Sequence, residues 1–329
     1  MHFTGQVWRP PFEAHNALLR FDIMHFTGRT WRPPYEAYSV IIQATSGCTY
    51  NKCKFCSLYH GECFRMTPIN EFEEDLAEIK TYQPNARRIF LTGANPFAMS
   101  YENLKLRALT VRDYLIKVQT IAMFASIRDI KPKSVEQLRK LRAMGINGLS
   151  IGMESGDDET LAFVNKGYTA NHIVEQLAKL DEAGIEYYLV YVYMTGLAGK
   201  GNGRRNALDT AKALNQISPY FVENPFFLNI DSLTLFPNTE LYRMAQRGEF
   251  VPAGEKERLE ELIILLKNLR LRTRIQADTV SNFKPITGAL PKDKERIIEE
   301  LQYIIDTTSE EEMVGYRNSI KSLGMDANN

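Results

Sequence analysis

The sequence is poor in cysteine, with four in 329 residues, and it holds only two tryptophans. Four cysteines cannot staple a chain of this size, and three of them fall within nine residues, Cys48 to Cys56. That distribution excludes a disulfide framework and points to metal or redox chemistry in a reducing compartment. Net charge is also missing: forty basic residues balance forty acidic ones. No global field draws the chain to an anionic membrane or to nucleic acid, which is disfavoured as a partner. Long apolar runs are absent too. Stretches such as Tyr187–Met194 fall far short of the roughly 18 residues a membrane span requires. The amino terminus, MHFTGQVWRPPFEAH, has no apolar core and does not form a secretory signal. The expected compartment is the cytoplasm, with no membrane partner.

What is present is an ordinary globular composition, 44% apolar and 24% charged, able to bury a core without covalent help. It also contains a repeat. Met1–Ala14 reads MHFTGQVWRPPFEA and Met24–Ala37 reads MHFTGRTWRPPYEA, identical at 11 of 14 positions. Two copies do not make a solenoid, which needs about three or more stacked units. Either the first copy is a partial duplication ahead of a working chain that begins at Met24, or it is an arm that covers the fold or a neighbour.

Beyond the repeat, apolar β-rich runs alternate with helical patterns. The runs are Ser39–Ala44, Arg88–Thr92, Thr120–Ala125, Gly148–Gly152, Glu186–Met194 and Phe227–Phe236. Helices are expected at Glu71–Tyr82 behind an Asn70 cap, at Ser134–Met144 with a Ser134/Gln137 capping box, and at Thr169–Ala183. Six strands separated by helices predict parallel βαβ units and the α/β class. The tail reads as a helix over Glu255–Arg274, a loop over Ser281–Asp293 and a helix over Lys294–Asp306. The predicted organisation is a duplicated segment at 1–37, a barrel at 38–245 and a helical extension at 246–329 that packs on it.

The chemistry concentrates in Gly47–His60, GCTYNKCKFCSLYH, whose cysteine spacing is C-x4-C-x2-C. The loop follows the first strand, at the end of a parallel sheet where α/β barrels build their active sites. Three thiolates can ligate three irons of a [4Fe–4S] cube and leave the fourth iron open. Cys48, Cys53, Cys56 and His60 can also close a Cys3His zinc tetrahedron. Inert thiols are the third reading.

The loop resembles the signature of the radical S-adenosylmethionine (SAM) superfamily, C-x3-C-x2-C, with Phe55 at the aromatic position before the last cysteine. Its first gap is one residue longer than that pattern. Thr92-Gly93-Ala94-Asn95 resembles the turn that holds the SAM amino group, with Asn95 where an acid is usual. Ser126-Ile127-Arg128 offers a hydroxyl and a guanidinium for ribose or carboxylate. Gly148–Gly167 resembles a strand–helix element of members such as coproporphyrinogen dehydrogenases and Elongator-type enzymes. The resemblance implies that Glu154 contacts SAM or orients substrate, that Lys166 pairs with the SAM carboxylate, and that the turn beginning at Tyr193 gives backbone contacts to adenine. Plainer roles stand beside these: Gly93 ends a strand, Glu154 caps a helix, Lys166 is a solvated surface lysine, Cys63 is a free buried thiol, and Arg270, Arg272 and Arg274 form an exposed helix end.

The resemblance covers about two-thirds of the chain and implies a partial (β/α)6 TIM-type barrel with a C-terminal helical extension. It implies a [4Fe–4S] cluster and SAM as cofactors, a 5′-deoxyadenosyl radical that takes hydrogen from a small-molecule substrate, and a low-potential donor such as flavodoxin or ferredoxin. Such a radical needs a dry cavity, here expected to be lined by Tyr187, Tyr188, Tyr191, Tyr193 and Phe227. With one spare cysteine there is no auxiliary cluster, which argues against sulfur insertion. An RNA substrate would call for a basic surface near the barrel mouth.

Overall fold

The structure, a computed structural model, describes residues 24–217 and 227–325; the first copy of the repeat lies outside them. The chain divides into two compact units. Of the described residues, unit 1 comprises 24–51, 56–151 and 179–187, and unit 2 comprises 52–55, 152–178, 188–217 and 227–325.

Unit 1 is built on four strands in the order β1 (Val40–Gln43), β4 (Arg88–Thr92), β5 (Thr120–Ala125), β6 (Ile146–Gly152), each parallel to its neighbour. Ile89, Phe90 and Leu91 are consecutive and all buried, as expected of strands covered on both faces. Phe90 meets Phe124 edge-on at 5.2 Å, within a core of Ile41, Ala122 and Phe26. A two-stranded antiparallel ribbon, β2 (Thr45–Ser46) with β3 (Arg65–Met66), closes the cysteine loop at its base. The crossovers are α1 (Ile69–Tyr82), α2 (Tyr101–Tyr114), the single turn α3 (Ile127–Ile130) and α4 (Val135–Ala143). Ser134 and Gln137 form the expected capping box on α4. Asn70 does not cap α1; the helix starts two residues earlier than expected, at Ile69 behind Pro68, which lacks an N–H and fits that boundary.

The second copy of the repeat is part of unit 1. The Thr92 hydroxyl donates to the Trp31 carbonyl at 2.8 Å, Arg88 Nε donates to Glu36 at 2.8 Å, and Tyr35 shares a 2.7 Å hydrogen bond with Ser150.

Unit 2 carries α5 (Asp158–Phe163), most of α6 (Ala170–Ala183) and of β7 (Tyr187–Thr195), then α7 (Gly203–Leu214), β8 (Phe227–Ser232), α8 (Glu240–Gln246) and α9 (Glu255–Asn268). Its tail holds β9 (Thr273–Ala277), β10 (Ile286–Leu290), α10 (Lys294–Thr307) and α11 (Glu310–Met325). Strands β7, β8 and β9 run parallel and β10 returns antiparallel to β9. The predicted helix to Arg274 therefore stops early. Asn215, just past α7, donates to the Asn268 carbonyl at 2.9 Å and accepts the Arg270 N–H at 2.8 Å, giving the α9 end a side-chain cap. After that exit, Thr273, Ile275 and Ala277 alternate inward as a strand. The predicted loop at 281–293 contains β10, so the extension is not helical throughout. Arg270, Arg272 and Arg274 are exposed, but beyond the helix.

Candidate active site

The cysteine loop leaves β2 through Gly47, whose φ is +65°. A Cβ there would lie 2.6 Å from the Cys63 carbonyl carbon, so only glycine fits. Asn51, also left-handed, donates its backbone N–H to Cys48 Sγ at 3.4 Å and its side-chain amide to the Tyr59 carbonyl at 2.9 Å. Residues 52–55 belong to unit 2. Lys54 N–H bonds the Val164 carbonyl at 3.0 Å, and the Lys54 carbonyl accepts from Leu241 at 2.8 Å. Phe55 packs on the core of Val164, Leu197, Leu233, Leu241 and Phe250. Cys48, Cys53 and Cys56 are half-buried and none is in a disulfide. Cys63 is free but exposed, correcting its expected burial, and His60 is exposed as well. Among the described residues no three His, Cys, Asp or Glu side chains converge on one metal-ion position. The chemistry of the donor set, and not a preformed tetrahedron, carries the metal assignment.

At the strand ends of unit 1 lies a neutral-bonded polar cluster. Asn95, 4% exposed, donates its amide to Thr49 Oγ1 at 2.7 Å and to Asp129 at 3.0 Å, and accepts the Thr49 N–H at 3.3 Å. Asp129 also accepts the Ser126 N–H at 2.7 Å, while Ser126 Oγ caps α3. Burial pushes the Asp129 carboxyl above its ordinary value, against the opposing bonds from Asn95 and Ser126. Arg128 lies 3.4 Å above the Tyr50 ring, and its Nε is buried without a hydrogen-bond partner. Gly93, at φ +134°, passes so close to Thr45 that no Cβ fits; it does more than end a strand.

Unit 2 contributes a salt-bridged cluster. Lys166 pairs with Glu154, their side chains 11% and 9% exposed. Lys166 is therefore no solvated surface lysine. Nor does Glu154 cap α5, because Asp157 does. Glu154 holds φ +62°, a conformation that costs a non-glycine residue on the order of 1–3 kcal/mol and concentrates at functional sites. Burial alone would lower the Lys166 ammonium. Glu154, then Tyr168 and Cys53, outweigh that and hold it well above the ordinary lysine value. Lys166 Nζ also stands 5.7 Å from the Phe55 ring centroid and 5.5 Å from that of Tyr168.

Tyr193 differs from its expected role as cavity lining. It is fully buried and donates to Glu261 of α9 at 2.6 Å, and the Gly196 N–H donates to the same carboxylate at 2.8 Å. Strand alternation turns Tyr193 to the helix-covered face, and the turn after it has one amide fewer to offer adenine. The side chains of Tyr191 and Phe227 lie outside the described residues. Asp129 was missed as a site residue, although Ser126-x-x-Asp129 is a legible capping-box spacing. Thr49 and Tyr168 carried no local signal.

The radical SAM superfamily pattern matches residues 42–211, just over half of the chain. This chain belongs to the radical SAM superfamily. The cofactors of that family are a [4Fe–4S] cluster and SAM. The heme chaperone HemW of Bacillus subtilis (strain 168) is 23% identical over 238 residues, covering 70% of this chain and 60% of that protein. A tRNA uridine(34) acetyltransferase of Methanocaldococcus jannaschii is 29% identical over 155 residues, covering 44% and 26%. The chain thus spans less than two-thirds of either relative. The solved structure of the cobalamin-dependent SAM radical enzyme OxsB, with aqua-cobalamin and SAM bound, superposes with a TM-score of 0.51 at 17% identity, over 82% of this chain and 41% of that one. That likeness is one of fold: an α/β, mostly parallel, partial TIM-type barrel. The radical SAM region takes in the cysteine loop, Asn95–Asp129 and Glu154–Lys166, and ends before β8. No helix among the described residues is long and apolar enough to cross a membrane.

Proposed function

We propose that this chain is a cytoplasmic radical SAM enzyme acting on a small molecule, with Cys48, Cys53 and Cys56 as its three cluster ligands. The observation that carries the reading is three half-buried thiols within nine residues, none in a disulfide, one of them, Cys53, acting on the buried Lys166–Glu154 pair. The donor set fits a [4Fe–4S] cube, since each thiolate serves a separate iron. When bound, the cluster and SAM supply one-electron reductive cleavage of a sulfonium C–S bond and hydrogen abstraction from substrate.

The residues of the chain bind and orient. Lys166, held cationic by Glu154, is placed for the SAM carboxylate. Arg128, with its unpartnered Nε, offers a second donor for carboxylate or ribose, and Ser126 keeps its hydroxyl proton for the same purpose. The side-chain oxygens of Asn95 and Asp129 can accept the amino group, so Asp129 restores the acid that the Gly93 turn lacks. Phe55, packed on the core that includes Val164 and Leu241, anchors the loop between Cys53 and Cys56. The backbone after Tyr193 borders adenine. A low-potential flavodoxin or ferredoxin supplies the electron.

HemW is named a chaperone, so turnover is the point to test. Anaerobic protein incubated with SAM and dithionite should form methionine and 5′-deoxyadenosine. Replacing Cys48, Cys53 or Cys56 with alanine should stop this, whereas Cys63→Ala should not. Full SAM cleavage by any of the first three variants would contradict the ligand set.

A further inference from the structure

The tail of the chain does more than pack. Strand β8 ends in Asn229-Ile230-Asp231-Ser232. Ile230 is the register partner of Tyr193, which faces α9, so Asp231 lies on the opposite face of unit 2's sheet. Asp231 is 5% exposed. Its Oδ1 accepts from Thr279 Oγ1 at 2.6 Å and from Ser281 Oγ at 3.1 Å. Its Oδ2 is buried and has no hydrogen-bond partner, and neither has the buried Oδ1 of Asn229, two residues earlier on that face.

The loop that grips Asp231 is itself fastened. Asn282 donates to the Ile230 carbonyl at 2.8 Å, Ser232 N–H bonds Ser281 Oγ at 3.1 Å, and Arg317 of α11 donates to the Ser281 carbonyl at 2.9 Å while pairing with Glu255 of α9. The carboxylate is held rigidly with one oxygen free. Leaving a buried acceptor unpaired is costly, more so for a charged one, and two such acceptors on one face are the complement of a donor.

The sign of the missing charge is also defined. Burial raises the Asp231 carboxyl, and the charges that act on it, Asp278 and Glu154, are carboxylates that raise it further; the Thr279 and Ser281 hydroxyls oppose this. An incoming cationic nitrogen relieves both burial and repulsion. We infer that Asp231 and Asn229 form a substrate-recognition site for an amine or amidine nitrogen, built by the 279–282 loop of the C-terminal tail. This rests on the radical SAM reading and names its substrate class.

The test uses the full, cluster-loaded chain under anaerobic conditions with SAM and dithionite. Small-molecule extract of the source cells is split on a sulfonate exchanger at neutral pH, which retains amines and amidines. The retained fraction should stimulate 5′-deoxyadenosine formation and the unretained fraction should not. Asp231→Asn should lose about 10- to 100-fold of the stimulated rate, with its iron content unchanged. If that variant loses iron, Thr279→Val, which frees the carboxylate without removing it, decides: it should need several times more of the retained fraction for half-maximal stimulation. Stimulation by the unretained fraction alone, by neither fraction, or equally in the deciding variant overturns the site. A wild-type chain that binds no cluster and cleaves no SAM instead overturns the reading beneath it.

Discussion

Both units bury a carboxylate at the strand ends, and they treat it in opposite ways. In unit 1, Asp129 is bonded to neutral donors, Asn95 and the Ser126 N–H. The nearby Lys133 spends its ammonium on the Phe97 and Asp129 carbonyls, each at 2.8 Å. Both groups drift toward neutrality: Asp129 rises, and burial lowers Lys133 to about 8 although Asp129 opposes it. In unit 2, Glu154 and Lys166 pair directly, and the lysine stays charged although it too is buried. Burial alone does not decide ionisation; the partner does. A site that must present a fixed cation to an anionic group needs the second arrangement.

The largest effect is expected at Lys166. Lys166→Met strands Glu154, and chemical denaturation should show a loss of about 3–5 kcal/mol. The double variant with Glu154→Met should recover much of it, and a loss as large as that of the single variant would mean the pair is not coupled. Lys133 gives the next effect. Its folded value lies below the ordinary 10.5, so between about pH 8 and 10.5 the unfolded chain binds more protons and stability rises with pH. The rise should be about 3 kcal/mol and absent in Lys133→Met. Lys166 has the reverse sign: its contribution is fully present below the ordinary lysine value and is lost only as pH passes its raised folded value.

A smaller change is expected at Asn95. Asn95→Leu removes the amide from Asp129 and should cost about 2 kcal/mol at neutral pH. The cost should shrink in acid, because losing Asn95 lets Asp129 protonate more readily; a pH-independent cost would show that Asp129 is already neutral. Ser126→Ala, which removes only the α3 cap, should cost about 1 kcal/mol in the same assay.

Much of this was legible in the residues. The runs at Arg88–Thr92 and Thr120–Ala125 match β4 and β5 end to end, because parallel strands buried on both faces advertise themselves as unbroken apolar runs. Helix α2 has no such signature. Its inner face includes Arg107 and Thr110, and Arg107 is buried only because it donates to the Thr67 carbonyl at 2.6 Å. That compensation comes from a distant residue and leaves no local periodicity. Strands β9 and β10 were hidden for a similar reason: Ile286-Thr-Gly-Ala-Leu290 is weak alone and becomes a strand by pairing with Thr273–Ala277. At the candidate site, spacing singles out the cysteines and resemblance singles out Glu154 and Lys166, which the structure pairs. What marks Asp129 and Asp231 is burial beside particular partners; the Ser126-x-x-Asp129 spacing signals only a helix cap.

The cysteine assignment remains the point on which the account turns. Protein purified without oxygen should be brown, hold about four iron and four sulfide per chain, and lose both when Cys48, Cys53 or Cys56 is replaced by alanine but not when Cys63 is. Colourless protein with about one zinc per chain, lost on His60→Ala, would contradict it.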